Sequence, residues 1–172
     1  PSVSSGEARA SVTRHAAFTQ LPRSYQRHHR FLTTMIQTLP EAIIVGDSTQ
    51  PVYAGNCYFE APAAKNWFNS ATGFGTLGYA VPAAIGAALG RRLQQNNEPI
   101  IALTGDGGLQ FCLAELATAK DWALPIIFIV WNNQGYSEIE SSMLNVGITP
   151  VGVSPKPPKI DALAKAYDIS YT

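Results

Sequence analysis

The sequence predicts an α/β fold, a doubly wound parallel sheet with helices on both faces. Three observations predict it. Short apolar runs rich in β-branched residues alternate with segments of helical period. Each of those runs ends in a polar turn that carries glycine. Only 14% of the 172 residues are charged against 46% hydrophobic, the balance of a chain with much surface buried in a core or a large interface.

Residues 1–22 are mixed in character and show no sustained period, so they read as a linker or the tail of a preceding domain. The domain itself is expected over 23–172. Tyr25, His28/His29, Leu32, Met35/Ile36 and Leu39 share one face of a helix that Pro40 stops. Ala42 to Val45 is a buried strand ending in Gly46-Asp47-Ser48-Thr49-Gln50. Residues 51–66 read as a loop with at most a helical turn, and Trp67-Phe68 as a very short strand. A helix of small residues follows from Ala80 to Arg92, with Pro82 in its first turn, where a missing N–H is harmless. Pro99 to Leu103 is the next strand and ends in Gly105-Asp106-Gly107-Gly108. Leu109, Leu113, Leu116 and Ala117 mark a helix to about Trp122. Pro125 to Trp131 is a third long strand, closed by Asn132-Asn133-Gln134-Gly135-Tyr136. Four prolines keep 150–159 extended, and a helix runs from Ile160 to Tyr167.

Composition excludes several classes. Twelve Lys and Arg balance twelve Asp and Glu, so there is no basic surplus for nucleic acid. No apolar run approaches the eighteen residues of a membrane span. The N-terminus lacks the order of a signal peptide and begins with Pro1, as an internal start would. Cys57, in a loop, and Cys112, a small core residue in a helix, are read as reduced, which points to the cytoplasm. His15, His28 and His29 are read as surface residues.

In a doubly wound sheet, ligands bind at the carboxyl ends of strands. The turns at Gly46–Gln50, Gly105–Gly108 and Asn132–Gly135 would converge there. Successive glycines suit an anion-binding concavity, and the helix from Leu109 would aim its positive end at it. An aspartate beside phosphate makes sense where Mg²⁺ bridges the two, because that ion takes oxygen ligands. Asn133 and the Gly135 carbonyl would complete the set with Asp106. Gly73-Phe74-Gly75-Thr76-Leu77-Gly78 matches a dinucleotide fingerprint, but no apolar strand precedes it and Glu98 comes before the next strand instead of ending it. It is therefore set aside as a nicotinamide site, and no P-loop pattern exists.

Gly105-Asp106-Gly107, twenty-four residues, then Asn132-Asn133 resembles the thiamine diphosphate (ThDP) motif of the pyruvate decarboxylase and acetolactate synthase superfamily. The resemblance implies a ThDP-binding fold, the diphosphate-binding domain of a three-domain enzyme. The pyrimidine-binding and central domains would then lie outside this chain, as would this domain's last strand and helix. It implies Asp106, Asn133 and Gly135 as Mg²⁺ ligands, and Gly105, Gly107, Gly108, Leu109 and Tyr136 about the diphosphate. Asp47, Ser48, Thr49 and Gln50 would reach the diphosphate as well. Gly75, Thr76 and Leu77 would lie beneath the thiazolium, with Leu77 as the wedge that bends the cofactor. Within the superfamily, Gly46–Asn56, Trp131–Ile139 and Ile148–Val153 are most similar to the 5-guanidino-2-oxopentanoate decarboxylases of arginine catabolism. A carboligase of acetolactate synthase type and a non-catalytic binding or assembly module are the alternatives. The superfamily's activating glutamate belongs to another domain, so no catalytic residue is expected here. The position of a second working glutamate is taken by Ile139, and Glu138 and Glu140 beside it read as solvated helix residues or, alternatively, as partners of a cationic substrate tail. A homodimer or homotetramer is implied, because sites of this superfamily form between chains.

Overall fold

A computed structural model describes residues 5–172. Its four strands are β1 (Ile43–Gly46), β2 (Trp67–Asn69), β3 (Ile100–Gly105) and β4 (Ile126–Trp131), in the order β2-β1-β3-β4. All three pairings are parallel. The chain leaves β1 for β2 on one side and returns to place β3 on the other. The strand order therefore reverses between β1 and β3, where a crevice opens at the carboxyl ends. Register sets Gly46 opposite Leu103 and Gly105 opposite Trp131, so the turns after β1, β3 and β4 sit side by side.

Strand side chains alternate between two helical layers. On one face, Ile44, Ile101 and Leu103 pack with Leu32 of α2 (Arg23–Thr38) and Val52 of α3 (Gln50–Tyr58). On the other, Val45, Ile100 and Ala102 meet Ala84 and Ala88 of α4 (Ala80–Leu93). Those alanines let α4 lie close over the centre of the sheet. Val81 and Ile85 of α4 continue the layer onto Leu109, Leu116 and Ala119, with Ile126, Phe128 and Val130 of β4 beneath. The fold is thus the doubly wound α/β class that the sequence predicts.

Several elements differ from expectation. Residues 1–4 lie outside the described residues, but the stretch read as irregular forms a helix, α1 (Ser5–Gln20). It shows no period because it has no apolar face. Its alanines give it helical propensity, and its contacts include an Arg14–Glu60 ion pair and Phe18 against His29, ring centroids 4.9 Å apart. The expected loop 51–66 begins with α3, where Pro51 sits in the first turn and Pro51, Val52, Ala54 and Gly55 are buried. Gly55 argues against a helix locally, and packing overrides it. The helix expected over 109–122 is two helices, α5 (Asp106–Gln110) and α6 (Glu115–Asp121). Cys112 is buried in the turn between them, and its thiol is pushed by burial up to about 11. Cys57 is exposed on α3, and both cysteines are free. His28 is no surface residue: it is 8% exposed and meets Trp131 edge-on, with centroids 5.0 Å apart.

Two glycines predict opposite outcomes. A Cβ on Gly55 would fall 2.6 Å from the Trp67 ring, whereas one on Gly86 meets nothing within 4 Å. Gly55→Ala should cost about 1–3 kcal/mol through overpacking. Gly86→Ala, exposed on α4, should stabilise by up to about 1 kcal/mol. Urea denaturation of both variants checks the signs.

Candidate functional site

The turns after β1, β3 and β4 enclose a cleft of about 220 Å³. Ser48, Thr49 and Gln50 line it from the first turn, Gly105 to Gly108 from the second, and Asn133, Gly135 and Tyr136 from the third. Gly75 and Leu77 close it from the glycine-rich segment. Three expected residues do not line it. Asp47 lies beneath, Thr76 is exposed outside, and the Leu109 side chain is 3% exposed in the core under α4. Tyr53 and Ser137 line it without having been expected there, as do Ile139, at the position of the second working glutamate, and Glu138, read as a solvated helix residue or, alternatively, as the partner of a cationic substrate tail. Tyr53 follows Gln50 by three residues, the spacing that shares a helix face, so α3 was the missing signal.

Asp47 is fully buried and accepts three hydrogen bonds. Oδ1 takes the Ser48 N–H (3.0 Å), and Oδ2 takes the Gly78 N–H (2.9 Å) and the Thr104 hydroxyl (3.1 Å). One carboxylate thus joins the end of β1, the end of β3 and the glycine-rich turn. It also explains Gly108, where a Cβ would collide with Asp47 Oδ2, while a Cβ on Gly107 would collide with the Tyr136 ring. The glycines at 105, 107 and 108 have negative φ, so they do not form a left-handed anion nest. Their role is close approach, and Asp106, Gly107 and Gly108 form the first turn of α5, whose N–H groups have no intrahelical acceptor.

Asp106 is 1% exposed, and its Oδ2 has no partner among the described residues. The Asn133 carboxamide stands between it and the Gly135 carbonyl. With its nitrogen facing them, Asn133 donates to Asp106 Oδ1 (3.2 Å) and Gly135 O (2.8 Å), and its oxygen accepts from Ser137 Oγ (3.1 Å). With the amide reversed, three oxygens face one another. That arrangement is repulsive alone and suits a hard cation between them. The backbone is shaped for it: Asn132 Oδ1 accepts from the Gln134 N–H (3.1 Å), Gln134 is left-handed (φ 63°), and the Tyr136 N–H donates to Val153 O (2.8 Å).

Behind the cleft, Trp131 Nε1 donates to Gln50 Oε1 (3.3 Å), and His28 braces the indole. Burial first, and the Arg27 charge second, hold His28 below its ordinary 6.5, with Glu138 opposing. The Gly75 carbonyl accepts from Ser48 Oγ (3.0 Å), which ties the turn under Leu77 to the end of β1.

Asp47→Asn would replace an acceptor by an amide donor facing the Gly78 N–H and should cost about 1–3 kcal/mol, read by urea denaturation, with faster amide exchange at Gly78. His28 predicts a pH dependence. The unfolded chain binds the imidazole proton more tightly than the folded one, so stability contributed by neutral His28 is full above 6.5 and is lost as pH falls through the depressed folded value. In the His28→Leu variant, the slope of melting temperature against pH should flatten in that window.

Residues 45–172 match the family described as thiamine pyrophosphate enzyme, C-terminal TPP binding domain. The probable 2-ketoarginine decarboxylase AruI of Pseudomonas aeruginosa is 39% identical over 142 residues, covering 81% of this chain and 24% of that protein. The acetolactate synthase large subunit of Buchnera aphidicola subsp. Schlechtendalia chinensis is 34% identical over 103 residues, covering 60% of this chain and 17% of that protein. Among solved structures, benzoylformate decarboxylase from Polynucleobacter necessarius superposes with a TM-score of 0.66 at 26% identity, over 74% of this chain and 24% of that one. The chain spans a quarter or less of the length of these relatives. With the sheet, the cleft and a family match over most of its length, the chain belongs to the thiamine pyrophosphate enzymes, as their C-terminal TPP-binding domain.

Proposed function

We propose that this domain holds ThDP through Mg²⁺ in a cytoplasmic 2-oxo-acid decarboxylase whose substrate is 5-guanidino-2-oxopentanoate (2-ketoarginine), an acid of arginine catabolism. One observation carries the metal: a buried Asp106 with an unpartnered Oδ2 faces the Asn133 amide and the Gly135 carbonyl. Those three would hold the ion. The first-turn amides of Gly107 and Gly108, with the Thr49 hydroxyl, would donate to the diphosphate. Leu77 is half-buried between two left-handed glycines, Gly75 (φ 78°) and Gly78 (φ 80°), and would prop the cofactor from below. When bound, ThDP supplies a carbon nucleophile for the 2-oxo group and an electron sink as CO₂ leaves.

The similarity to a 2-ketoarginine decarboxylase supports the substrate. The similarity to acetolactate synthase keeps carboligation as the second reading. A non-catalytic module has no use for a buried carboxylate with an open oxygen, since such a group is costly unless a ligand completes it. A homodimer or homotetramer is proposed with it. Phe74 (99% exposed) and Val151 (77%) are exposed apolar side chains that a second chain would cover. The two free cysteines fit a reducing compartment.

The test is CO₂ release by the full-length gene product with ThDP and Mg²⁺ across a panel of 2-oxo acids. Turnover of 5-guanidino-2-oxopentanoate should exceed that of pyruvate, whereas acetolactate accumulating from pyruvate would replace this reading with the carboligase. Asp106→Ala should weaken Mg²⁺-dependent ThDP binding by about 10- to 100-fold, read by calorimetry.

A further inference from the structure

We infer that Glu138 is the residue that selects the far end of the substrate, favouring 2-oxo acids whose tail carries a guanidinium or ammonium group. The inference rests on the decarboxylase reading above.

The cleft is lined by hydroxyls, amides and glycine backbone, with two carboxylates, Asp106 and Glu138, and no Lys, Arg or His among the described residues. Asp106 is buried and engaged by Asn133. Glu138 is different. It stands in the first turn of α7 (Ser137–Asn145), is exposed, and has no hydrogen-bond or ion-pair partner among the described residues. Its charge is felt on two other helices: it adds to the raised pKa of Tyr25 on α2 and of Tyr53 on α3, although burial is the larger cause at both.

Position decides what that charge can do. Glu138 and Ile139 belong both to the cleft and to a shallow groove that continues along α7 past Met143 and Val146. A substrate reacting in the cleft would run its tail toward this junction, where an aliphatic stem meets Ile139 and Met143 and the end group meets Glu138. A cationic end pairs with the carboxylate. A neutral end strips water from it without replacement, and an anionic end is repelled. Glu140 lines neither the cleft nor the groove, so the two neighbouring glutamates have different surroundings.

The experiment uses the full-length holoenzyme with ThDP and Mg²⁺. It compares kcat/KM for 5-guanidino-2-oxopentanoate with that for 2-oxoheptanoate, whose tail is uncharged. The ratio should fall roughly tenfold or more in Glu138→Gln, mainly through KM, and should hold in Glu140→Gln. Because each ratio is taken within one variant, a partial loss of folded protein cancels. Glu138→Lys should shift preference toward 2-oxoadipate. A wild-type enzyme that prefers the uncharged acid, or a ratio unmoved in Glu138→Gln, overturns the role of Glu138 and leaves the decarboxylase reading standing. A holoenzyme that binds ThDP yet releases CO₂ from no 2-oxo acid overturns both.

Discussion

The buried carboxylate of Asp47 is the joint on which the cleft depends. Its three donors come from the chain just after β1, from β3 and from the glycine-rich turn, segments far apart in sequence. A carboxylate removed from water is tolerated only when its oxygens are satisfied. The three segments must therefore arrive together or the group is left costly. That constraint sets the Ser48–Gln50 turn beside Gly108, and it forbids a side chain at Gly108. Asp47 shapes the cleft from one layer below its lining.

The second constraint is the trio of Asp106, Asn133 and Gly135. Parallel register of Gly105 with Trp131 sets the two turns side by side. The Asn133 amide can then serve two states. Nitrogen inward, it bridges the two oxygens by hydrogen bonds; oxygen inward, it would join them as a third oxygen ligand to the proposed cation. The proline-rich segment holds the frame from outside, where the Val153 carbonyl accepts the Tyr136 N–H and lies where a Gly135 side chain would be.

The three longer strands and the turns that end them were legible in sequence because their signals are local: β-branched runs, glycine and Asx residues at strand ends. What stayed hidden is set by contacts between distant segments. Gly55 argues against a helix until Trp67 is seen to need the space. The burial of His28 depends on Trp131, a hundred residues away in the chain, and no period reveals it. Leu109 belongs to the expected turn by its backbone and to the core by its side chain, a division that motif spacing does not express. Glu138 and Glu140 look equivalent as letters, and only the placement of α7 assigns one of them to the cleft.

The charge of the cleft gives a physical reason for the proposed metal. Hydroxyls and first-turn amides offer hydrogen bonds to a diphosphate, but they carry no net charge. The two ionisable carboxylates that line the cleft are acidic, and no basic side chain of the described residues offsets them there. A diphosphate brought in alone would meet like charge at Asp106. A divalent cation held by Asp106 would reverse the sign of that interaction. Glu138 is exposed, on the first turn of α7. The cleft thus holds one buried and one exposed carboxylate: on the proposed reading, the first would need a cation before a diphosphate could enter, and the second would be open to a cationic substrate tail.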